Sequence, residues 1–193
     1  MRVVVVNHVS LDGVMQAPAR PDEDRRGGFE HGGWAIPFND AATARMMGFG
    51  TGGEGGGMLF GRRTYEDFAR IWPPQTGNPF TEVLNRRQKY VASTTLREPL
   101  AWVNSTLLQG DAAEAVRALK AEGEGDLTVL GSGALIRSLL PAGLIDEFVL
   151  SIDPIVLGSG QRMFPDAGPL VPLRLVDVQT STTGVVVARY QPA

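Results

Sequence analysis

The segment Gly61-Arg62-Arg63-Thr64 has the residue types of a phosphate-binding site and follows the apolar run Met58–Phe60. The pattern predicts a strand that ends at Gly61 and a helix that begins at Thr64, after the two arginines. Arginine presents a planar, permanently charged fork of donors that suits phosphate. A helix N-terminus adds free N–H groups and partial positive charge at the same place. The sequence therefore predicts a phosphate clamp, and the alternative is a helix N-cap at Thr64 beside two solvated arginines.

Two further polar segments also follow apolar runs. Gly131-Ser132-Gly133-Ala134 comes after Leu127–Leu130, and Ser93-Thr94 ends the run that begins at Tyr90. The Gly-Ser-Gly turn permits a close approach of the backbone to a pyrophosphate, although it lacks the third glycine of the dinucleotide fingerprint and can also be a simple tight turn. The two hydroxyl residues can donate to a ribose phosphate or cap a turn.

The three polar segments share one predicted position in the fold, because each stands where a strand stops. If these strands are parallel, their carboxyl ends meet at one edge of the sheet, and ligands bind at that edge in open α/β folds. A pair of arginines at such an edge suits a 2′-phosphate. We therefore predict NADPH rather than NADH as the cofactor.

The elements that position these segments alternate between strand and helix up to about residue 140. A β-branched first strand is predicted over Val3–Val9, and such alternation is typical of a largely parallel sheet covered by helices. The chain after Ile145 has strand patterns only, and Thr183-Gly184 predicts a hairpin between its last two strands. The fold class is therefore α/β, with a mixed, mostly parallel sheet and an antiparallel C-terminal hairpin, in a single domain over residues 1–193.

The individual elements are predicted from caps and periodicity. Helices are expected over 41–47, 64–71, 79–87, from Asp111 onward and up to Leu140, and short strands over 14–16, 90–93 and 101–103. The glycine-rich segment Gly48–Gly57 is expected to be a connector. It is not interpreted as a phosphate loop, since no Gly-Lys-Ser/Thr ends it.

Composition excludes several classes of function. The 193 residues carry a net charge of −3, so no general attraction to nucleic acid or to anionic membranes is expected. The chain has no cysteine, and its two histidines lack a neighbouring acidic cluster, so no metal site is predicted. The first apolar run is too short for a signal peptide and no stretch reaches membrane-spanning length, so we expect a cytoplasmic protein.

Taken together, the motifs resemble the dihydrofolate-reductase-like superfamily, and most closely its riboflavin-biosynthesis branch, the RibD C-terminal domain. No single motif is specific, but the set covers nearly the whole chain in the order of the family. The matching segments are Ser10-Leu11-Asp12-Gly13, Phe60-Gly61-Arg62-Arg63-Thr64-Tyr65, Ser93-Thr94, Val129-Leu130-Gly131-Ser132-Gly133, Leu144-Ile145-Asp146-Glu147, Pro154 to Gly160 and Phe164-Pro165.

The resemblance implies a three-layer dihydrofolate-reductase-like fold and an NADPH-dependent reductase, often a homodimer. It implies that the Gly-Arg-Arg-Thr and Ser-Thr segments hold the adenosine phosphate end of the cofactor and that Gly131-Ser132-Gly133-Ala134 holds the pyrophosphate. The nicotinamide would lie near the first strand and the stretch from Asp12 to Gln16. The substrate would lie between it and the stretch from Trp34 to Asp40.

Two departures from true dihydrofolate reductases argue against a pterin substrate. The pterin-binding carboxylate falls on Asn39, with Asp40 one position late, and the hydroxyl that supports it falls on Leu150, next to Ser151. The leading hypothesis is a reductase similar to 5-amino-6-(5-phosphoribosylamino)uracil reductase. The alternatives are a dihydrofolate reductase proper and a non-catalytic module that senses NADPH.

The candidate catalytic and substrate-binding residues each have a structural alternative. Asp12 and Asp40 can bind substrate or handle a proton, but Asp12 can equally be a turn residue and Asp40 a helix N-cap. Trp34 and Phe38 can stack on a flat heterocycle, with Gln16 close by, although core packing is the commoner fate of aromatic residues. His8, inside the first strand, is predicted to be a core histidine.

Overall fold

The computed structural model describes residues 1–47, 56–164 and 166–193. The predicted connector Gly48–Gly57 therefore lies outside the described residues except for its last two positions, and so does Pro165. Within the described residues the strands are β1 (Arg2–Ser10), β2 (Gly57–Gly61), β3 (Gln88–Ala92), β4 (Ser105–Leu108), β5 (Asp126–Leu130), β6 (Glu147–Asp153), β7 (Leu173–Thr180) and β8 (Val186–Pro192).

The helices begin at the residues that the capping pattern indicated, or close to them. In the described part of the chain they are α1 (Ala41–Met46), α2 (Arg62–Ile71), α3 (Pro79–Arg86), α4 (Ala112–Glu122) and α5 (Gly133–Leu139). Asp40, Asn78 and Asp111 cap α1, α3 and α4 by accepting backbone N–H groups.

The strands form one eight-stranded sheet in the order β4-β3-β2-β5-β1-β6-β8-β7, flanked by helices. β2 pairs in parallel with β3 and β5, and β3 pairs in parallel with β4. β8 pairs antiparallel with β6 and with β7. The predicted α/β class, with a mostly parallel sheet and an antiparallel C-terminal hairpin, is confirmed.

The chain divides into two compact units, and its assignment to a single domain stays a prediction. The first unit comprises Met1–Val4 and Gly50–Asp146. Its centre is β2, where Met58, Leu59 and Phe60 are all buried because α2 and α5 pack against the strand. A strand buried on both faces is apolar throughout, as this one is.

The second unit comprises Val5–Phe49 and Glu147–Ala193. Within it, β6 pairs with β8 from Phe148, opposite Tyr190, to Ile152, opposite Val186. A separate apolar cluster forms below the loops that follow β1. Its buried members are Val14, Ala17, Phe29, Trp34 and Ala35, and Ile155 and Leu157 pack against it.

Three local predictions were wrong. Ala101–Val103 is not a strand, because the strand of this region is β4 and Trp102 is instead buried with its N–H bonded to the Tyr65 hydroxyl at 2.9 Å. The expected strand over 14–16 is reduced to a single bridge between Val14 and Arg162. Helix α2 begins at Arg62 rather than at Thr64, so its N-cap is Gly61.

Candidate functional site

The three polar segments follow the carboxyl ends of adjacent parallel strands. Gly61, the last residue of β2, lies opposite Ala92, the last residue of β3, and β5 ends at Leu130 on the other side of β2. Because these strands run in the same direction, the segments that follow them lie at one edge of the sheet. The shared edge that the sequence predicted is confirmed.

Ser132 ties two of these segments together. Its backbone N–H donates to Thr64 Oγ1 at 3.0 Å, and its hydroxyl oxygen accepts the Gly61 N–H at 3.0 Å and donates to the Leu130 carbonyl at 3.0 Å. These bonds satisfy groups that strand and helix ends would otherwise leave unpaired. Thr64 therefore fixes the turn after β5 and does not act as the N-cap of α2.

The turn after β5 has a left-handed backbone at two successive residues. Gly131 has φ +56° and Ser132 has φ 55°. A Cβ at Gly131 would lie 3.0 Å from Thr64 Cγ2 and 3.1 Å from its Oγ1, so only glycine allows this approach without a shift. Non-glycine residues adopt this conformation at a cost, and such outliers are enriched at functional sites.

Two helices present uncapped N-termini beside these turns. Helix α2 begins after Gly61 and helix α5 begins after Ser132, and neither N-cap residue accepts an N–H of its own helix through a side chain. The first N–H groups of each helix are therefore not capped by the side chain of the N-cap residue, and they carry the positive end of the helix dipole. This arrangement favours an anionic group at the edge formed by β2 and β5.

The two arginines of α2 differ in their surroundings. Arg62 forms an ion pair with Glu66, one turn along the helix, at 3.1 Å. Arg63 is exposed, and its guanidinium makes no hydrogen bond or ion pair with any residue that the structure describes. Exposed pairs on a helix contribute little to stability, so both side chains are available to an incoming phosphate.

Ser93 and Thr94 follow β3 at the same edge. The Ser93 hydroxyl oxygen accepts the N–H groups of Thr95 at 3.1 Å and Leu96 at 3.0 Å, so Ser93 caps the turn. Thr94 is exposed. Ser93 thus shows the turn-capping alternative, whereas the exposed Thr94 is accessible to a ligand.

In the second unit, Asp12 is held by three donors. Its Oδ1 accepts the Ser10 hydroxyl at 2.7 Å and the Leu157 N–H at 3.1 Å, and its Oδ2 accepts the Gly158 N–H at 2.9 Å. The Ser10 hydroxyl, aided by these N–H groups, lowers the pKa of Asp12 to about 2 against the opposing effect of burial. Asp12 is thus ionised at neutral pH and has no proton to donate, which favours a structural role.

Asp40 serves as the N-cap of α1. Its Oδ1 accepts the Thr43 N–H at 2.7 Å and the Thr43 hydroxyl at 3.0 Å, and its Oδ2 accepts the Thr182 hydroxyl at 3.1 Å. The hydrogen bond from the Thr43 N–H holds the pKa of Asp40 below its ordinary value. Asp40 therefore shows the helix N-cap role, which was the structural alternative to a catalytic role.

Two of the candidate substrate-binding residues, Gln16 and Trp34, form hydrogen bonds within the protein. The Gln16 side chain donates to the carbonyls of Asp24 and Arg26 and accepts the Gln161 N–H at 2.9 Å. Trp34 is buried, and its Nε1 donates to the Gln16 carbonyl at 2.7 Å. Trp34 therefore packs in the core, which was the alternative to a role in stacking on a heterocycle.

Phe38 differs from Trp34, because its side chain is only half-buried at the end of the short 3-10 helix Ile36–Phe38. Its carbonyl accepts the Thr183 hydroxyl at 2.6 Å. Of the three candidates, Phe38 therefore remains free to contact a ligand through its ring.

The chain as a whole matches the family model of the RibD C-terminal domain over residues 2–187. The chain belongs to the RibD C-terminal domain family. The uncharacterized protein YyaP of Bacillus subtilis (strain 168) is 31% identical to it over 140 residues, which cover 69% of this chain and 72% of YyaP.

Solved structures show the fold of this RibD C-terminal domain. A putative riboflavin biosynthesis protein from Shewanella sp. PV-4 has a TM-score of 0.72 at 21% identity, with 100% of this chain and 99% of that chain covered. A pyrimidine reductase-like protein from Corynebacterium diphtheriae has a TM-score of 0.66 at 13% identity, with 100% of this chain and 92% of that chain covered. Dihydrofolate reductase from Enterococcus faecalis, complexed with NADP(H) and RAB-propyl, has a TM-score of 0.62 at 13% identity over 99% and 96%.

The described residues of this RibD C-terminal domain show neither a metal-binding cluster nor a membrane-spanning helix. They contain no group of three or more histidine, aspartate or glutamate side chains that could hold a metal ion. No helix among them is both long and apolar enough to cross a membrane.

A buried pair in this RibD C-terminal domain was missed from the sequence. His8 Nδ1 lies 3.0 Å from Asp153 Oδ2, and Asp153 is fully buried. The signal that could have indicated it is a carboxylate that closes the apolar strand β6 just before Pro154. His8, expected to be a satisfied core histidine, therefore has a specific carboxyl partner.

Proposed function

We propose that this protein is an NADPH-dependent reductase that acts on a small pyrimidine-type heterocycle similar to 5-amino-6-(5-phosphoribosylamino)uracil. The observation that carries the proposal is the junction at the carboxyl edge of β2 and β5, where Ser132 joins the two phosphate-type segments. Family membership supports a reductase, and the dihydrofolate reductase of the same fold is complexed with NADP(H).

The residues at this edge suit a dinucleotide cofactor. The missing Cβ at Gly131 and the uncapped start of α5, at Gly133 and Ala134, suit the pyrophosphate. The uncapped start of α2 and the free guanidinium of Arg63 suit the 2′-phosphate, with Arg62 and Thr94 beside it. The donor set is basic and rich in N–H groups, as an anion requires.

When bound, NADPH supplies a hydride, and with it two electrons, to an electrophilic carbon of the substrate. The chain contributes position and charge. The arginines and the N–H groups at the helix starts hold the phosphates, so that the ring end of the cofactor is fixed by groups remote from the chemistry. Rigid hydrogen bonds at Ser132 keep the two phosphate-binding turns in register.

The contacts in the second unit argue against a pterin as the substrate. Asn39, at the position of the pterin-binding carboxylate, carries no charge, and Asp40 is committed to capping α1. Leu150 stands in place of the supporting hydroxyl and is buried. A pterin ring would therefore meet no free carboxylate in the segment from Trp34 to Asp40.

A non-catalytic NADPH sensor is the second candidate. The observation that favours it is that Asp12 and Asp40, the carboxylates considered for proton handling, are both occupied by structural hydrogen bonds. Hydride-transfer enzymes need few catalytic groups beyond binding. Consumption of the cofactor therefore separates the two candidates.

The test measures NADPH binding and NADPH oxidation by the purified protein with two probes, 5-amino-6-(5-phosphoribosylamino)uracil and dihydrofolate. We expect binding of NADPH and oxidation with the pyrimidine. Binding without oxidation by either probe would instead favour the sensor, and oxidation with dihydrofolate alone would favour a dihydrofolate reductase. A protein that does not bind NADPH would contradict both the reductase and the sensor.

A further inference from the structure

The pair formed by His8 and Asp153 is unusual because it places an acid–base couple inside the second unit. Asp153 Oδ2 lies 3.0 Å from His8 Nδ1 and accepts the Ser151 hydroxyl at 3.4 Å. The other carboxylate oxygen, Oδ1, is buried and has no hydrogen-bond partner among the residues that the structure describes. A buried carboxylate with an unpaired oxygen is costly, so the side chain needs a partner that can carry positive charge, and His8 is such a partner.

The imidazole of His8 is placed differently from the rest of its strand. From Val3 to Ser10, every residue of β1 except His8 is buried, whereas the His8 side chain keeps 14% of its surface exposed. Its Nε2 makes no hydrogen bond with a residue that the structure describes. One ring nitrogen therefore faces a fixed carboxylate and the other is free.

We propose that His8 is the proton donor of the reaction and that Asp153 is its positioning residue. The inference rests on the proposed reductase function. His8 lies in the first strand and in the same unit as Asp12–Gln16 and Trp34–Asp40. The family resemblance places the nicotinamide near the first strand and Asp12–Gln16, and the substrate between it and Trp34–Asp40. His8 supplies the function that Asp12, ionised and fully bonded, cannot supply.

The proton step balances with the hydride step. The hydride forms a new C–H bond at the electrophilic carbon, the C=N or C=O π bond of the substrate breaks, and the adjacent nitrogen or oxygen receives the electron pair. The Nε2–H of the His8 imidazolium gives its proton to that atom. The neutral ring keeps its Nδ1–H on Asp153, and water returns the proton to Nε2 afterwards.

The pair has a simpler reading, in which His8 only anchors β1 to Asp153. Asparagine separates the two readings, because its side-chain N–H₂ can replace the Nδ1–H donor toward Asp153 but offers nothing in place of Nε2. If His8 only anchors the strand, His8→Asn keeps both stability and turnover. If His8 donates the proton, His8→Asn keeps stability and loses turnover.

The first measurement compares NADPH oxidation with 5-amino-6-(5-phosphoribosylamino)uracil by wild type, His8→Asn and His31→Asn. His31 is the only other histidine of the chain, it is exposed, and it contacts the edge of Phe29. We expect kcat of His8→Asn to fall by about 10²-fold or more, with NADPH affinity unchanged, while His31→Asn behaves as wild type. A fall of less than about threefold in a folded His8→Asn protein would overturn the proposal.

The second measurement does not depend on turnover. Long-range ¹H–¹⁵N spectra of the two imidazoles, assigned with His31→Asn, report which nitrogen of His8 carries the proton. We expect Nδ1–H in the neutral ring of wild type, a mixture of tautomers in Asp153→Asn, and a shift of Nε2 when the pyrimidine is added with NADP⁺. An Nε2–H tautomer in wild type, or an Nε2 resonance that the pyrimidine does not move, would overturn the assignment.

The two measurements distinguish failure of this inference from failure of the proposed function. If wild type oxidises NADPH and His8→Asn does so equally well, the reductase stands and the proton donor lies elsewhere. If wild type oxidises no NADPH with the probe, the proposed function fails. The Nε2 resonance then still decides whether His8 contacts the pyrimidine.

Discussion

Gly131 and Ser132 fix the turn on which the candidate cofactor site depends. Both residues have positive φ angles, and both lie next to Thr64. Gly131 can approach the Thr64 side chain closely because it has no Cβ, and the Ser132 N–H donates to the Thr64 hydroxyl. The serine is held in this conformation by three hydrogen bonds, which offset its conformational cost. The turn is therefore rigid before any ligand binds, which lowers the entropy cost of binding.

Replacing Gly131 with alanine tests this turn. The new Cβ would approach Thr64 to 3.0 Å, so we expect the free energy of unfolding to fall by about 2 kcal/mol and NADPH affinity to fall with it. Gly143→Ala is the matched control, because Gly143 also has a positive φ (+64°) but no atom within 4 Å of its Cβ position. It should lose only about 1 kcal/mol and bind NADPH normally; equal effects of the two changes on NADPH binding would contradict the role of the turn.

Sequence reasoning located the polar residues of the sheet edge because strand ends and glycines are local signals. It could not assign partners to individual side chains. Asp12 and Asp40 each had a catalytic and a structural interpretation. Only their hydrogen bonds to residues distant in sequence, Gly158 and Thr182, show that both carboxylates are held by structural contacts. Asp153 was missed for the same reason, since its partner lies 145 positions away.

A buried lysine of β3, the strand that follows helix α3, donates hydrogen bonds to carbonyl groups at the end of that helix. Lys89 is fully buried, and its Nζ donates to the carbonyls of Leu84 at 2.8 Å and Arg87 at 2.7 Å and lies 4.6 Å from the centre of the Trp102 ring. The ammonium thus satisfies carbonyls that the end of the helix leaves unpaired. Burial lowers the pKa of Lys89 to about 8.

Replacing Lys89 with methionine should cost about 2 kcal/mol of unfolding free energy, because buried carbonyls lose their donor. The pH dependence gives a second readout. Between about pH 8 and the ordinary lysine value of 10.5 the unfolded chain holds more protons than the folded one, so wild type should gain stability relative to Lys89→Met as pH rises through this range.

Denaturant unfolding from pH 7 to 10.5 checks both expectations. Arg70→Met is the control, because Arg70 is exposed and its change should stay within about 0.5 kcal/mol at every pH. A stability difference between wild type and Lys89→Met that narrows as pH rises would show that Lys89 is not held in a desolvated position.

Most elements could be predicted from local patterns. Caps at Asp40, Asn78 and Asp111 and β-branched or apolar runs define them well, because each depends on a few neighbouring residues. The strand predicted over Ala101–Val103 was wrong because an apolar run of three also occurs in loops. Here only Trp102 is buried, and it is bonded to Tyr65 and Asn85, which are distant in sequence.

The fold class of the whole chain could be predicted from the alternation of strand and helix, but the edges of the sheet could not. β7 is the last strand in the sheet order, and Leu175, Val176 and Val178 on it are between 46% and 49% exposed. An edge strand with unpaired backbone groups and exposed apolar side chains is a common pairing surface. We propose that β7 pairs with a second copy of this chain, giving the homodimer that the family resemblance implies.

Sedimentation velocity over a range of concentrations tests the dimer. We expect wild type to be dimeric at micromolar concentration and Leu175→Lys with Val178→Lys to be monomeric, since two charges would be placed in the pairing surface. Leu170→Lys is the control, because Leu170 is 93% exposed but lies before β7, and it should remain dimeric. A monomeric wild type, or a double variant that stays dimeric, would rule out this surface.

The most direct test of the central claim compares the binding of NADPH and NADH by three proteins. These are wild type, a double variant that carries both Arg62→Ala and Arg63→Ala, and the control Arg70→Ala, which removes an exposed arginine at the other end of α2. If the start of α2 holds the 2′-phosphate, the double variant loses NADPH affinity at least about tenfold more than NADH affinity, because charge-assisted bonds to phosphate are removed. Arg70→Ala should change neither. Equal loss of both cofactors, or no loss of either, would contradict the assignment of this sheet edge to NADPH.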